Sequence, residues 1–118
     1  LVVRNLVDNA IKYSPEGGVI RLQAVRHPGE IVLQVEDSGP GVPESERERI
    51  FERFYRMAPT GVVGSGLGLA IVKRVTEVLN ATIDVDSSRA LGGLLIRIHI
   101  PTATLRGSDN GGVTDALQ

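Results

Sequence analysis

The sequence predicts a two-layer α/β sandwich, with helices on one face of a mixed, mostly antiparallel sheet. Two long segments, Leu1 to Tyr13 and Leu67 to Leu79, carry apolar residues at helical spacing. Four shorter runs alternate apolar and polar side chains, as half-covered strands do. The strand runs come as two pairs, each joined by a short turn, which favours antiparallel neighbours packed beside the helices in one domain. At 118 residues and 42% hydrophobic content the chain can bury a single core. Aromatics make up only 3%, so that core is built from Val, Leu, Ile and Ala.

In the first helix Val3, Leu6, Val7 and Ala10 share one face, and the helical pattern is already running at the first residue. Ser14-Pro15-Glu16-Gly17-Gly18 stops it. Val19 to Arg26 alternates, with Ile20, Leu22 and Ala24 on one side. His27-Pro28-Gly29-Glu30 makes a tight connection, and Ile31 to Asp37 alternates again, predicting a hairpin. After the loop Ser38-Gly39-Pro40-Gly41, Pro43 precedes a charged run, Glu44 to Phe51, that reads as a short helix. Met57 to Ser65, with Pro, Thr and glycines and no periodicity, reads as a mobile loop. In the second long helix Leu69, Ile71, Val72, Val75 and Val78 are expected mostly toward the core, and Asn80 is a left-handed stop. Thr82 to Asp86 and Leu94 to Ile100 are strands joined through Gly92-Gly93. The domain is expected to end at Pro101, with a disordered polar tail from Thr102 to Gln118.

Thirteen basic and fourteen acidic residues leave a formal charge of −1, which argues against nucleic-acid or anionic-membrane partners held by bulk electrostatics. Without cysteine there is no disulfide framework or thiolate metal site, and His27 and His99 are too few for a zinc cluster. No apolar run is long enough to cross a bilayer and no signal pattern opens the chain, so the sequence reads as soluble.

Four clusters carry candidate chemistry. Asn5, Asn9 and Lys12 form a polar stripe on the first helix, opposite its apolar face, with Tyr13 beside them. Asparagine is an indifferent helix former, so two in one stripe call for a reason. Amide oxygens suit a hard cation such as Mg²⁺, and a lysine one turn on suits phosphate; the plain alternative is a solvated face. In Asp37-Ser38-Gly39-Pro40-Gly41, Asp37 keeps phase with Ile31, Leu33 and Val35, so its carboxylate points to the helix-covered side and needs donors there. An adenine amine would supply one, and glycines would let backbone approach the ring; an acidic residue opening a glycine turn is otherwise common. Phe51 to Arg56 holds three of the four aromatics and could anchor a lid, with Arg56 reaching a transferring phosphate; a satellite core is the alternative. Gly64-Ser65-Gly66-Leu67-Gly68-Leu69 opens the second long helix, where exposed N–H groups and the dipole favour phosphate. It matches neither a P-loop, which ends in Lys-Ser/Thr, nor a dinucleotide fingerprint, which follows a buried strand. His27 and His99 read as surface or structural residues, without an acidic neighbour to serve as base.

In their order these clusters resemble the N, G1, F and G2 boxes of bacterial sensor histidine kinases: Asn5 to Tyr13, Asp37 to Gly41, Phe51 to Arg56 and Gly64 to Leu69. The resemblance spans residues 1 to 101 and implies the Bergerat ATP-binding fold shared with gyrase B, Hsp90 and MutL. It implies that Asn9 holds Mg²⁺, Asn5 helps place metal and phosphates, and Lys12 contacts phosphate. Tyr13 would flank the adenine and Asp37 bind its amine. Gly39 and Gly41 would shape the base pocket, and Gly64, Gly66, Leu67 and Gly68 the phosphate end of a lid. Arg56 would approach the γ-phosphate or the acceptor histidine, which lies outside this chain together with its base. The implied reaction is phosphoryl transfer from Mg·ATP to a histidine of a separate dimerisation domain, then to a response regulator. The implied setting is the cytoplasmic side of an inner-membrane sensor, homodimeric as a whole and monomeric as this fragment, of the quorum-sensing or polymyxin-response type. The family's first strand and the start of its first helix would precede Leu1. Gly92-Gly93-Leu94 lacks the threonine often found there and receives no ligand role. An anti-sigma-factor-type serine kinase and a non-kinase ATPase module of the gyrase B or Hsp90 kind share the fold and are the alternatives.

Overall fold

The computed structural model describes residues 1–55 and 67–105. Helix α1 (Val2–Tyr13) is followed by strands β1 (Ile20–His27) and β2 (Glu30–Asp37), and then by two 3₁₀ turns, Glu44–Glu46 and Arg49–Phe51. Helix α2 (Gly68–Val78), strands β3 (Thr82–Ser87) and β4 (Leu94–Pro101) and a helical turn, α3 (Thr102–Leu105), complete the described residues. The strands form one sheet in the order β1-β2-β4-β3, and all three pairings are antiparallel.

Alternation decides which side of the sheet is covered. Val35, Leu94, Ile96, Ile98 and Ile100 point toward the helices and join Val2 and Leu6 of α1 and Leu69 and Val72 of α2 in one core. The opposite face is polar along its middle, where Gln34 donates to Gln23 at 2.7 Å and Arg97 pairs with Asp84 at 3.6 Å. The aromatic-poor core foreseen from composition is therefore a mainly aliphatic layer between two helices and the four-stranded sheet.

Several local expectations need correction. The buried stripe of α1 is Val2, Leu6 and Ala10, whereas Val3 and Val7 are half-buried. Asn5 and Asn9 consequently lie along the flank of that stripe, half-buried, and not opposite it. In α2 the buried residues are Leu69, Val72 and Thr76, followed by Leu79; Ile71 and Val78 face outward, Val78 being 69% exposed. Thr76 tolerates burial because its hydroxyl donates to the Lys73 carbonyl at 2.8 Å. Glu44 to Phe51 is two 3₁₀ turns and not one helix. Pro101 does not end the order: Thr102 N–H donates to Gly29 O at 3.0 Å and opens α3. The expected loop at Met57 to Ser65, and the tail beyond Leu105, lie outside the described residues. Asn80 behaves as read: at φ 56° it closes α2, with Asn80 N–H to Glu77 O and Ala81 N–H to Thr76 O, a Schellman pairing.

Candidate functional site

The site is built where the ends of α1 and β2 meet. Asp37, the last residue of β2, stays in phase with the core face and is 5% exposed. Burial of a carboxylate needs donors, and two backbone N–H groups supply them: Gly39 at 2.9 Å and Leu94 at 3.2 Å, both to Oδ1. The second carboxylate oxygen takes neither bond. Gly39 has no room for a side chain, since a Cβ there would lie 2.5 Å from the Tyr13 carbonyl and 3.1 Å from Asp37 Oδ1. Gly93 is tighter still: a Cβ would overlap both Asp37 Oδ1 and the Asp37 carbonyl, and would sit 2.7 Å from Gly39 N. Gly41, at φ 75°, needs the left-handed conformation and packs on the Gly93 backbone. Ser38 fastens this loop to the end of α1's turn, with Ser38 N–H to Val19 O at 3.0 Å and Val19 N–H to Ser38 Oγ at 2.8 Å. Asp37, Gly39 and half-buried Tyr13 thus lie together, with Gly41 against the Gly93 backbone beside them. Ser14, next to Tyr13, has a buried hydroxyl with no hydrogen-bond partner among the described residues.

A second focus lies where α1 meets the start of α2. Asn5 donates to Leu1 O at 2.7 Å, which leaves its Oδ1 toward α2, where a Cβ on Gly68 would sit 3.2 Å away. The first turn of α2 contains no acidic residue and no side-chain cap, so its dipole is uncompensated there among the described residues. Asn9 is half-buried one turn along α1 from Asn5, and Lys12 is exposed beyond it. Gly68 adjoins Asn5 and Leu67 is the N-cap just before it, whereas Arg56, Gly64 and Gly66 lie outside the described residues.

The aromatic cluster divides. Phe51 and Tyr55 pack against the core, and Phe54 is 70% exposed at φ 64°. The Tyr55 hydroxyl donates to Glu46, which together with burial raises its pKa, and the Arg49 guanidinium lies 5.1 Å from the ring centre. His99 corrects the expectation that no acid stands near either histidine. Its Nε2 lies 3.0 Å from Asp84 and its Nδ1 3.3 Å from Glu30, on the sheet face away from the helices. The hydrogen bond to Asp84 leads in raising its pKa, partly opposed by burial. It remains a cross-strand link, remote from Asp37 on the far side of the sheet.

Gly92-Gly93-Leu94 receives no ligand role from the sequence, yet the Gly93 and Leu94 backbones contact Asp37, and nothing in the sequence singles out Ser88, whose hydroxyl donates to Glu36 at 2.7 Å. The Gly-Gly pair was a signal, but it reads equally as a plain turn until β4 is seen to lie beside β2.

The described residues contain no group of three His, Cys, Asp or Glu able to hold a metal. A cation at this site would therefore need amide and phosphate oxygens, a donor set that Mg²⁺ accepts.

The family model for histidine kinase-, DNA gyrase B- and HSP90-like ATPases matches residues 1–104. The chain is 38% identical to the sensor protein kinase PmrB of Pseudomonas aeruginosa over 93% of its own length and 25% of the relative's. It is 41% identical to the histidine-protein kinase/phosphatase MprB of a Mycobacterium species, over 92% of this chain and 22% of that one. It spans 11% of the sensor histidine kinase TmoS of Ectopseudomonas mendocina, so these relatives are several times longer. Among solved structures, a mycobacterial sensor histidine kinase MprB superposes with a TM-score of 0.77 at 41% identity, covering 85% of this chain and 69% of that one. Full-length ShkA in complex with AMPPNP superposes with a TM-score of 0.68 at 34% identity, over 85% and 20%. The order of the four motifs, the two-layer fold and these similarities agree: this chain belongs to the family of histidine kinase-, DNA gyrase B- and HSP90-like ATPases.

Proposed function

We propose that residues 1–101 form the ATP-binding catalytic unit of a sensor histidine kinase, transferring the γ-phosphoryl group of Mg·ATP to a histidine on a separate dimerisation domain. A response-regulator aspartate would receive the group next. The observation that carries the reading is Asp37: a buried carboxylate with one oxygen held by two backbone N–H groups, beside glycines with no space for a Cβ. That cradle suits a flat ring bearing an amine, with Asp37 accepting from the amine and Tyr13 flanking the base.

When bound, the nucleotide supplies the transferable phosphoryl group and the metal ion offsets its charge. Asn9 would hold the metal and Asn5 would help place it. Lys12 and the backbone of Leu67 and Gly68 would meet the phosphates, a role that extends by sequence to Gly64 and Gly66. Arg56 would stabilise the charge of the transferring group. The chain's own contribution is positioning and electrostatics, which is what phosphoryl transfer asks of a protein. The general base would come from beside the acceptor histidine. No helix among the described residues is long and apolar enough to cross a membrane, compatible with a cytoplasmic catalytic unit of an inner-membrane homodimer. The PmrB and MprB relatives, both named as kinases, favour the histidine acceptor over a serine kinase or a dimer-closing ATPase.

Titration with a non-hydrolysable ATP analogue, with and without Mg²⁺, tests the site. Binding should be Mg²⁺-dependent in the wild type and lose that dependence in Asn9→Ala; unchanged dependence would refute the metal role. With labelled ATP the chain alone should stay unlabelled and should label an added helical histidine domain. Stoichiometric acid-labile label on His27 or His99 would overturn the division of labour.

A further inference from the structure

We infer that the β3–β4 turn, residues 88–93, is the positioning element that sets the Asp37 carboxylate for base recognition, anchored from the opposite face of the sheet by Glu36. The inference rests on the adenine reading of Asp37 given above. Asp37 sits at the open end of β2, and its carboxylate would turn about χ1 and χ2 unless held. Gly39 N–H holds it from within its own loop, as an Asx-type bond two residues on. The other donor, Leu94 N–H, comes from 57 residues away, so its place depends on the turn that precedes it.

That turn is fixed by more than a hairpin requires. Ser88 N–H donates to Gly93 O at 2.7 Å and Gly92 N–H donates to Ser88 O at 2.8 Å, which closes the loop. Gly93 N–H donates to Asp37 O at 3.0 Å, and the missing Cβ of Gly93 is what permits the approach. Ser88 Oγ accepts Leu91 N–H at 3.0 Å and donates to Glu36 Oε2 at 2.7 Å. Ser88 and Glu36 are 3% and 6% exposed, and Arg21 lies 3.4 Å from the other Glu36 oxygen. The turn is thus tied to the last two residues of β2 at once, to Glu36 on the outer face and to Asp37 on the inner one. With Oδ1 held in this way, the second oxygen is presented in one orientation. The turn therefore governs which base is accepted, not how tightly phosphates are held.

Competition between ATP and purine riboside triphosphate, which lacks only the 6-amino group, reads this on the full chain. The wild type should prefer ATP by about tenfold or more, the range for a hydrogen bond to a charged acceptor. Asp37→Ala should abolish the preference. Ser88→Ala and Glu36→Ala should lower it by about threefold or more while leaving affinity for purine riboside triphosphate within about twofold. Glu36→Gln, whose amide oxygen still accepts from Ser88, should keep it. Thermal melting of each variant sets a working temperature at which it is folded. If Ser88→Ala and Glu36→Ala weaken both nucleotides equally, or leave the preference intact, the positioning role is overturned and Asp37 alone stands. If the wild type shows no preference, or Asp37→Ala retains it, the adenine reading fails and this inference with it.

Discussion

Asp37 joins two demands in one residue, because the burial that makes its carboxylate costly to leave unpaired also makes it selective for a donor. Asp37→Ala should weaken ATP binding by about 1.5–3 kcal/mol, the worth of a hydrogen bond to a charged group, read by calorimetry. Ser14 makes a contrasting case. Its buried hydroxyl has no partner among the described residues, so Ser14→Ala should leave the melting temperature of the ligand-free chain unchanged or raise it. A clear fall would mean that the hydroxyl is already satisfied. His99 carries a pH dependence. Its folded pKa is raised above the usual value of 6.5 by Asp84 and then Glu30, with burial opposing and Arg97 also facing Asp84. The added stability is therefore fully present below about pH 6.5 and is lost as pH rises through the folded pKa. The stability difference between wild type and His99→Gln, followed by urea denaturation, should shrink between about pH 6 and pH 8. A constant difference would show that the link does not depend on charge.

At the level of elements, α1 and α2 each present a narrow aliphatic stripe to the same face of the sheet, and their stability comes from that burial more than from propensity. Val72 is 0% exposed and Leu6 1%. Leu6→Ala should cost about 2–4 kcal/mol in urea denaturation, a lost side chain plus the cavity left behind. Val78→Glu separates the helical reading of the sequence from the packing observed. Periodicity alone puts Val78 near the core, but at 69% exposure the change should alter stability by less than about 0.5 kcal/mol. At the C-terminus of α2, Asn80→Gly should be neutral or slightly stabilising and Asn80→Val destabilising, because a branched Cβ is strained at φ 56°. The 3₁₀ turns after β2 have a comparable local logic. Arg47 spans from the Val42 carbonyl to Ser87 Oγ at 3.1 Å, tying the loop after Gly41 to the end of β3.

For the molecule as a whole, the sheet order β1-β2-β4-β3 matters most to function. It places β4 between β2 and β3, so a turn late in the chain reaches a carboxylate set much earlier. The helices share one face, which brings α1 and the start of α2 together at Asn5 and Gly68. The proposed nucleotide site is then framed by the ends of elements, where backbone N–H groups are available for ligands. A ligand held between those ends should stabilise the fold by mass action, by about 2.7 kcal/mol at a hundred times its dissociation constant. A melting temperature that does not rise with an added ATP analogue would contradict binding to the native state.

The sequence by itself determined the fold class, the succession of the main helices and strands and the inward phase of Asp37. These rest on local physics: helical and strand periodicity, a left-handed Asn80, and an aspartate in phase with core residues ahead of a glycine turn. The resemblance to the kinase boxes was likewise legible, since it lies in short motifs. What only the tertiary structure decided depends on contacts between distant segments. It turned the α1 asparagines to the flank of the buried stripe, because α2 packs beside them, and exposed Val78 while burying Thr76. It set His99 between carboxylates from two neighbouring strands, a pairing that strand register alone creates. Above all it brought Gly93 and Leu94 onto Asp37, because register across an antiparallel pair is a long-range property that no local pattern encodes.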